Sequence, residues 1–332
     1  MVKQSDRRIF MKLYLGIDMS KSGFTAALCS EDQVFQIVHP EVRNQIDGWQ
    51  TIRDWVLKQS KENPVGVHLG VESTGGYEKP LIDWFRSNTE FVVTVLNPVR
   101  VKKFAQSELS RTKNDLNDAR LIARYLAIRK PEPTPVIVPE IEELKLMARH
   151  LEHLIRKQAD EKTYLDSVTE AAIRSQTQDI IQTYQKQIEK VQVQIRKHID
   201  SHPNLRNQSG LLQSIPGIGE KTSAILLCEC IPALTPKQQV AHAGLAPRHN
   251  QSGKMNGKTQ LCKTGNKRLR TALYLPTLCA IRCNPVISEF YQRLIARGKP
   301  KMVAVGACMR KLVHIIVGVL KNQISFNPNY AL

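Results

Sequence analysis

Short apolar runs separated by polar turns occupy the first hundred residues of the chain. Apolar residues at 13–17 end in Asp18 and predict a strand, and two further strands at 23–29 and 34–38 follow short turns, as in a β-meander. The pattern then alternates between helices at 45–59 and 78–86 and buried strands at 65–71 and 91–96. Strands that alternate with helices after an initial meander predict a mixed α/β sheet covered by helices on both faces.

The central part of the chain is helical by its spacing and begins with a proline-rich segment. Residues 131–139, PEPTPVIVP, predict a stiff linker. Apolar residues at helical spacing follow over 141–173 and 181–199, and the second run has steps of three and four, which form a heptad seam. With a turn at 175–178, the two helices are predicted to fold back as an antiparallel coiled coil within residues 131–205. A simple spacer and a segment that dimerises or clamps nucleic acid both remain open as its role.

The last part of the chain, residues 206–332, is predicted to be mainly α-helical, with helices at 269–281, 286–297 and 302–321. Before these helices, residues 214–224, SIPGIGEKTSA, have the pattern of the hairpin in helix-hairpin-helix modules. In such hairpins, backbone amides at a helix N-terminus bind a phosphate without reading sequence. A polar loop around residues 249–258 separates this motif from the helices.

Composition places the chain among cytoplasmic proteins with real hydrophobic cores. The 332 residues are 42% hydrophobic, and no apolar run is predicted to approach the length of a membrane span. The N-terminus lacks the apolar region of a signal peptide. The seven cysteines are odd in number and lack paired CxxC spacing, which predicts reduced core thiols and neither a zinc site nor a disulfide framework.

Positive charge is concentrated towards the C-terminus. The formal net charge is +18, and residues 206–332 contain 18 lysines or arginines against three acids. Such an excess favours a polyanionic partner, and phosphates are expected to contact this part of the chain. The candidate nucleic-acid contacts are Lys113, Arg120, Gly217, Gly219, Lys221, Arg248, Lys254, Lys258, Lys263, Lys267, Arg268 and Arg270.

Four acids are predicted to share one crevice. Asp18 and Glu72 end two predicted strands, and Asp115 and Asp118 lie three residues apart where a helix begins. In open α/β sheets the carboxyl ends of neighbouring strands form the ligand crevice, and four carboxylates there would repel one another without cations. This is the arrangement of a two-metal phosphoryl-transfer site. The alternative for the pair is a helix cap, with Asp115 as N-cap and Asp118 as its partner at the third helical position.

The motifs of this chain resemble, in order and from about residue 13 to 321, the DEDD transposases of the bridge-RNA-guided insertion sequences, relatives of the Piv and MooV DNA invertases. The resemblance is carried by Asp18 in GIDMSK, Glu72 in GVESTGGY, and Asp115 and Asp118 in the block NPVRVKKFAQSELSRTKNDLNDARLIARY. It continues through SIPGIGEKTSA, AHAGLAPRHNQSGK, KTGNKRLRTALY and RGKPKMVAVGACMRKLV.

This resemblance implies a RuvC-like, RNase H-like domain at residues 12–130, a coiled-coil insertion, and a C-terminal transposase domain at 206–332. It implies that Asp18, Glu72, Asp115 and Asp118 bind Mg²⁺. Ser252, in QSGK, would be the nucleophile, whereas loop composition alone favours an ordinary turn serine. The resemblance further implies donor and target DNA and a non-coding guide RNA as partners, and we expect a homo-oligomer, a dimer or a tetramer, without membrane association.

The predicted reaction is transesterification through a covalent phosphoserine, without ATP. A DNA invertase of the same family is one alternative. A hydrolytic RuvC-like junction nuclease that activates water at the same acids is another. An actin-like ATPase also opens with a strand that ends in aspartate, but the sequence has neither its second phosphate loop nor its adenosine motif. A non-catalytic RNA-binding protein would explain the charge but not the four acids.

Overall fold

The computed structural model describes residues 13–31, 36–59, 66–73, 75–108, 114–248, 251–252, 255–256 and 260–329. The chain divides after Val136 into two compact units, residues 1–136 and 137–332. The first unit contains an α/β sheet, and the second is mostly helical.

The first unit is built on a five-stranded mixed sheet. Its strands are β1 (Leu13–Met19), β2 (Gly23–Ser30), β3 (Gln36–Arg43), β4 (Val67–Glu72) and β5 (Phe91–Leu96), in the spatial order β3-β2-β1-β4-β5. The first three strands pair antiparallel as the predicted meander, and β1, β4 and β5 run parallel. The third strand lies further along the chain than predicted and includes Pro40. Proline has no N–H to donate, and an edge strand tolerates it because one side of that strand has no neighbour in the sheet.

Helices cover both faces of this sheet, as the sequence predicted. Helices α1 (Ile46–Gln59) and α2 (Lys79–Arg86) close a core on one face around buried residues such as Leu15, Ile17 and Val71. Helices α3 (Pro98–Ser107) and α4 (Asp115–Arg129) close a second core on the other face, which contains Tyr14 and Leu126. Successive residues of β1 therefore alternate between the two cores.

The proline-rich segment that follows α4 is partly bound to the first unit. Thr134 pairs with the outer edge of β5: its backbone N–H donates to the Val93 carbonyl at 3.0 Å, and its hydroxyl accepts from the Val95 N–H at 2.8 Å. Arg86 of α2 donates to the Thr134 carbonyl at 2.9 Å. These bonds cover the free edge of the sheet with a segment whose prolines cannot extend the pairing.

The second unit begins with a long antiparallel helix pair, α5 (Pro139–Ser167) and α6 (Ala171–Ser201). The predicted seam faces α5, since Ile188, Val191 and Ile195 are all buried. The turn predicted at 175–178 is wrong, because those residues lie inside α6 and the connection is residues 168–170. Arg174 ends α5 by donating to the Leu165 and Val168 carbonyls at 2.9 and 2.6 Å. Supercoiling of the pair as a coiled coil stays a prediction.

The remaining helices share one hydrophobic core with the first half of α5 and the last half of α6. They are α7 (Pro203–Gln213), α8 (Glu220–Glu229), α9 (Pro236–His242), α10 (Lys267–Cys283), α11 (Pro285–Ala296) and α12 (Lys301–Asn322). By length and composition α12 is apolar enough to cross a membrane, contrary to the prediction that no apolar run approaches the length of a span, but most of its apolar stretch is buried in this core. The apolar character of α12 is explained by its central position among the other helices. The predicted boundary at residue 205 stays a prediction.

Candidate active site

The strand register brings Asp18 and Glu72 side by side at the carboxyl ends of β1 and β4. Ile17 pairs with Val71 across these parallel strands, and the two acids are the next residues on each strand. Ile17 and Val71 point into the core beneath α1 and α2. Because side chains alternate along a strand, Asp18 and Glu72 face the opposite side, where α4 lies. Both carboxylate residues are half-buried there.

Two glycines let α4 lie directly on these strands. Gly16 and Gly70 are a register pair of β1 and β4, and both face α4. A Cβ at Gly16 would lie 2.3 Å from the Ala119 carbonyl oxygen and 2.4 Å from the Ala123 nitrogen, and one at Gly70 would lie 2.6 Å from Leu126 Cδ1. The contact at Ala119 holds the first turn of α4 over the end of β1.

The first turn of α4 carries Asp115 and Asp118, but neither is the helix cap. Asn114 is the N-cap, with extended backbone angles, and its side-chain oxygen accepts a hydrogen bond from the Asn117 N–H at 2.8 Å. The interpretation of Asp115 as N-cap is therefore wrong. Asp115 is the first helical residue and is exposed, whereas Asp118 is half-buried. The helix dipole favours acids in this turn, and neither Asp115 nor Asp118 is needed as the N-cap, so both are available to bind a metal.

Electrostatics link the four acids. The pKa of Asp18 is raised to about 6, first by burial and then by the negative charges of Asp118, Asp115 and Glu72. A hydrogen bond from the Met19 backbone opposes the increase only in part. Carboxylates from three separate elements thus act on one side chain, and their mutual repulsion favours either a proton or a cation at Asp18.

The donor chemistry of this cluster suits a hard divalent cation. Carboxylate oxygens are the ligands that Mg²⁺ prefers, and three other carboxylates come close enough to Asp18 for their charges to add to the effect of burial on its pKa. Among the described residues, however, no three or more His, Cys, Asp or Glu side chains are arranged as a ready coordination shell. Side-chain rotations would therefore have to complete the shell.

Sequence reasoning missed a buried acid in the loop that follows Glu72. Glu78 is 7% exposed, and its carboxylate accepts from the Gly76 N–H at 2.9 Å and from the Ser73 hydroxyl at 3.3 Å. The Ser73 N–H donates to the Leu96 carbonyl at 3.1 Å, which fixes the loop to β5. Gly75 and Gly76 have positive φ values of 93° and 121°, which explains the GG pair. Glycines followed closely by an acid were the available signal.

In the second unit, the segment predicted as a polar loop contains short β-hairpin ladders. Strands β6 (Pro247–Arg248) and β9 (Gln260–Leu261) pair antiparallel, and β7 (Gln251–Ser252) pairs with β8 (Met255–Asn256). Ser252 is the register partner of Met255. The candidate nucleophile therefore lies in a hairpin, close in sequence to the exposed Arg248.

The turn between α7 and α8 contains the predicted phosphate-binding glycines. Gly217 has a φ of +104°, and a Cβ there would lie 2.8 Å from Ala280 of α10. Gly219 is the N-cap residue of α8 and is open to solvent on its side-chain side. Lys221 is exposed in the first turn of α8. The helix-hairpin-helix interpretation of this turn stays a prediction.

The other predicted basic contacts differ in their surroundings. Arg268 pairs with Glu152 at 2.8 Å, and the Arg270 guanidinium donates to the Ala243 carbonyl at 3.0 Å, which gives Arg270 a structural role. Arg120 lies near Asn117 Oδ1 at 3.5 Å on an exposed face of α4. Lys263 and Lys267 are exposed. Three of the predicted contacts fall outside the described residues: Lys113, Lys254 and Lys258.

Comparison with known proteins gives a family match for the part of the chain with the four acids and another for the part with Ser252. Residues 15–172 match the family DEDD_Tnp_IS110, described as Transposase, and residues 209–292 match Transposase IS116/IS110/IS902 family. The pilin gene-inverting protein of Moraxella bovis is 32% identical over 324 residues, which cover 95% of this chain and 98% of that protein. The chain belongs to the IS110 family of DEDD transposases and DNA invertases.

Other relatives agree with this membership. The pilin gene-inverting protein of Moraxella lacunata is also 32% identical over 95% of this chain and 98% of its own length. The insertion element IS110 43.6 kDa protein of Streptomyces coelicolor is 27% identical over 40% of this chain and 32% of that protein. The first family match contains all four acids, and the second contains Ser252. This IS110-family protein is thus an enzyme that acts on DNA, and its mixed sheet with flanking helices is that of an RNase H-like DEDD transposase.

Proposed function

We propose that this IS110-family transposase cuts and rejoins DNA strands by transesterification, with Ser252 as nucleophile and Asp18, Glu72, Asp115 and Asp118 as the Mg²⁺-binding acids. The observation that supports it best is the convergence of the four carboxylates: the pKa of Asp18 is raised to about 6, first by burial, and the charges of Asp118, Asp115 and Glu72 add to that increase. Acids that only form turns or cap helices would not be expected to lie close enough for their charges to affect one another's pKa. Asn114 supplies the helix cap, so capping does not explain Asp115.

In the proposed reaction, Ser252 Oγ forms a bond to the phosphorus of a DNA strand while the bond from phosphorus to the 3′ oxygen breaks. The serine proton is lost as the departing 3′ oxygen gains one, which leaves a phosphoserine joined to the 5′ end and a free 3′ hydroxyl. A 3′ hydroxyl from an exchanged strand then attacks the phosphoserine, and the serine hydroxyl is restored. The phosphodiester energy is conserved throughout, so no nucleotide cofactor is required.

Mg²⁺ bound to the four acids would neutralise charge on the phosphoryl group and lower the effective pKa of the attacking hydroxyl. The packing of α4 on the sheet would keep the four acids close together. Gly16 and Gly70 hold α4 against the sheet so that Asp115 and Asp118 stay above the strand ends that carry Asp18 and Glu72. In the second unit, Arg248, Lys263 and Lys267 would hold the DNA backbone, and their exposure supports this role.

The decisive experiment is Ser252→Ala. We expect this variant to lose both recombination and the denaturation-resistant protein–DNA adduct while Mg²⁺, RNA and DNA binding remain near the wild-type level. Gel analysis of labelled DNA after denaturation measures the adduct. Cleavage at the wild-type rate by Ser252→Ala would refute the phosphoserine mechanism and favour the hydrolytic RuvC-like nuclease, since water would then be the nucleophile.

DNA inversion is the second candidate outcome of the same chemistry. It is favoured by the match to the two Moraxella proteins, which are named pilin gene-inverting proteins and align over nearly their whole length. A plasmid that carries the element's ends in inverted orientation separates the two: inversion of the intervening DNA supports an invertase, and insertion into a second plasmid supports a transposase.

We further propose that the protein acts in the cytoplasm with a non-coding guide RNA and as a homo-oligomer. The positive charge of residues 206–332 supports DNA or RNA as a partner, since this part of the sequence contains 18 basic residues and only three acids. Recombination of two duplexes favours a dimer or a tetramer. Sequencing of RNA that co-purifies with the protein tests the guide, with RNA loops that match the element's junction as the expected result.

Sharing of the active site between chains is a separate prediction. Mixing an Asp18→Ala protein with a Ser252→Ala protein should restore part of the activity if the acids of one chain serve the serine of another. Each variant alone is the control, and co-assembly is checked by size-exclusion chromatography. Absence of rescue in a verified mixed oligomer would indicate that every chain carries its own complete site.

A further inference from the structure

The hairpin that carries Ser252 joins the second unit through two arms, residues 243–246 and 262–265, which run side by side. The Cys262 N–H donates to the Ala246 carbonyl at 2.8 Å, and the Lys263 N–H donates to the Gly244 carbonyl at 3.1 Å. There is no space for a side chain at Gly265, where a Cβ would lie 2.3 Å from the His242 carbonyl oxygen. The two arms are thus held in close backbone contact below the hairpin.

Asn266 ends the second arm and uses all of its polar groups. Its backbone N–H donates to the His242 carbonyl at 2.6 Å, which closes the pair of arms. Its side-chain oxygen accepts from the Leu269 N–H at 3.1 Å and caps α10. Its side-chain amide nitrogen donates to Glu229 Oε2 at 2.6 Å. One residue therefore joins the arms, α10 and α8.

Glu229 is an unusual residue to find at this position. It is one of only three acids in residues 206–332, and it is 8% exposed at the last residue of α8, where the helix dipole disfavours a negative charge. Among the residues that the structure describes, it makes no ion pair with lysine or arginine, and its side-chain partner is the neutral amide of Asn266. Burial lowers the pKa of His242, at the start of the first arm, and a hydrogen bond to the Glu229 backbone and the charge of Glu229 both oppose that decrease. A buried acid thus lies in contact with the residues that begin the first arm and end the second.

We propose that Glu229 and Asn266 are positioning residues that hold the serine hairpin for attack on DNA. This inference rests on the proposed role of Ser252. The hydrogen bond between their side chains fixes the point from which both arms leave, and residues 242–248 and 260–266 transmit that position to the hairpin. This role also gives a physical reason for the motifs AHAGLAPR and KTGNKRLR. Their glycines lie in the two arms, and the asparagine of the second motif is Asn266, which forms the joint between the arms, α8 and α10.

The test is a donor–acceptor exchange. In Asn266→Asp the side chain still caps α10, but its carboxylate faces that of Glu229 and the donor is lost. In Glu229→Gln the amide oxygen still accepts from Asn266. In the double variant Glu229→Gln/Asn266→Asp, the glutamine nitrogen donates to the new aspartate, so the bond is restored with its direction reversed. Glu289→Ala, at an exposed acid of α11, is the matched control.

We expect Asn266→Asp to slow adduct formation at saturating DNA by at least about tenfold, with little change in the KM for DNA, because a charge-assisted hydrogen bond is lost. Glu229→Gln and the double variant should stay within about threefold of wild type, as should Glu289→Ala. A wild-type adduct rate in Asn266→Asp would overturn the proposal. So would an equal loss of rate, DNA affinity and melting temperature in Asn266→Asp that the double variant does not restore, since that pattern is a purely structural role.

Hydrogen exchange separates this inference from the proposed nucleophile, because it requires no activity. The amides of Cys262, Lys263 and Asn266 bond between the arms, and their exchange should accelerate about 10- to 100-fold in Asn266→Asp and return in the double variant. Unchanged exchange would refute the joint even if Ser252 is the nucleophile. Adduct formation by Ser252→Ala would refute the nucleophile and leave the exchange result standing.

Discussion

Replacement of Gly16 by alanine should disable the candidate active site without touching any of its acids. The added Cβ would lie 2.3 Å from the Ala119 carbonyl oxygen and 2.4 Å from the Ala123 nitrogen, whereas ordinary contacts begin near 3.4 Å. Both obstacles are backbone atoms of α4, which no side-chain rotation can move. The helix must therefore shift by about 1 Å, and because Asp118 directly precedes Ala119, it shifts with it.

A displacement of about 1 Å at a catalytic group costs on the order of 100-fold in rate, so we expect DNA cleavage by Gly16→Ala to fall by about that factor. The stability cost of overpacking should be about 1–3 kcal/mol, which leaves a folded protein for the assay. The direct readout is the carboxyl NMR titration of Asp18. As α4 moves away, the contribution of Asp118 and Asp115 weakens, and the pKa of Asp18 should fall below about 6.

Gly70→Ala is the matched control, because Gly70 is the register partner of Gly16 on the same face of the sheet. Its added Cβ would lie 2.6 Å from Leu126 Cδ1, 2.9 Å from Cδ2 and 3.0 Å from Cγ. These nearest atoms belong to a side chain and not to the backbone of α4, so we expect the Leu126 side chain to move and the helix to stay in place. We expect a similar loss of stability but an activity within a few-fold of wild type. The reasoning is refuted if Gly16→Ala cleaves DNA at the wild-type rate with the Asp18 pKa unchanged, or if the two variants lose activity equally.

Two further predictions concern the acids themselves. Without divalent metal, the raised pKa of Asp18 should make the protein less stable as the pH rises from about 4 to about 6: the folded state holds the proton more tightly than the unfolded chain, so this contribution is fully present below the ordinary pKa and is lost above the raised one. Asp18→Asn should therefore raise the metal-free melting temperature at pH 7.5 and flatten its pH dependence, and the prediction fails if wild type and variant melt in parallel from pH 4.5 to 7.5. Asp18→Ala, Glu72→Ala, Asp115→Ala and Asp118→Ala should each abolish strand cleavage in Mg²⁺ while DNA affinity in a gel-shift assay stays close to wild type. Full activity of Asp118→Ala would mean that this residue serves only the helix.

The local periodicities were sufficient to predict most elements of the first unit. The meander, the buried strands β4 and β5 and the helices on both faces follow from alternation over a few residues. Helix α3 is absent from the sequence prediction, because an Asn-Pro pair after a strand is also typical of a turn. Asn97 in fact caps this helix by accepting from the Val99 N–H at 2.8 Å, and Pro98 occupies its first turn, where a missing N–H costs nothing.

The second unit shows where local signals are weaker. The polar run Ser175 to Gln178 has turn-like composition, yet it lies inside α6 because the chain reverses earlier, at residues 168–170. Arg174 satisfies the final carbonyls of α5 from one turn away in the next helix, a contact that no local propensity encodes. The predicted polar loop around Ser252 contains paired strands instead, since strands of two residues leave almost no periodic signal.

The sequence by itself determined which side chains carry the chemistry and where each lies within its element: Asp18 and Glu72 at strand ends, Asp115 and Asp118 in a first helical turn, and the positive charge in the last part of the chain. These are properties of a few neighbouring residues. Only the tertiary structure decided that β1 lies beside β4 in a register that aligns Asp18 with Glu72, and that Gly16 brings α4 down upon them. Register and helix docking depend on how distant segments bury their apolar faces together, and that free energy is a property of the whole unit.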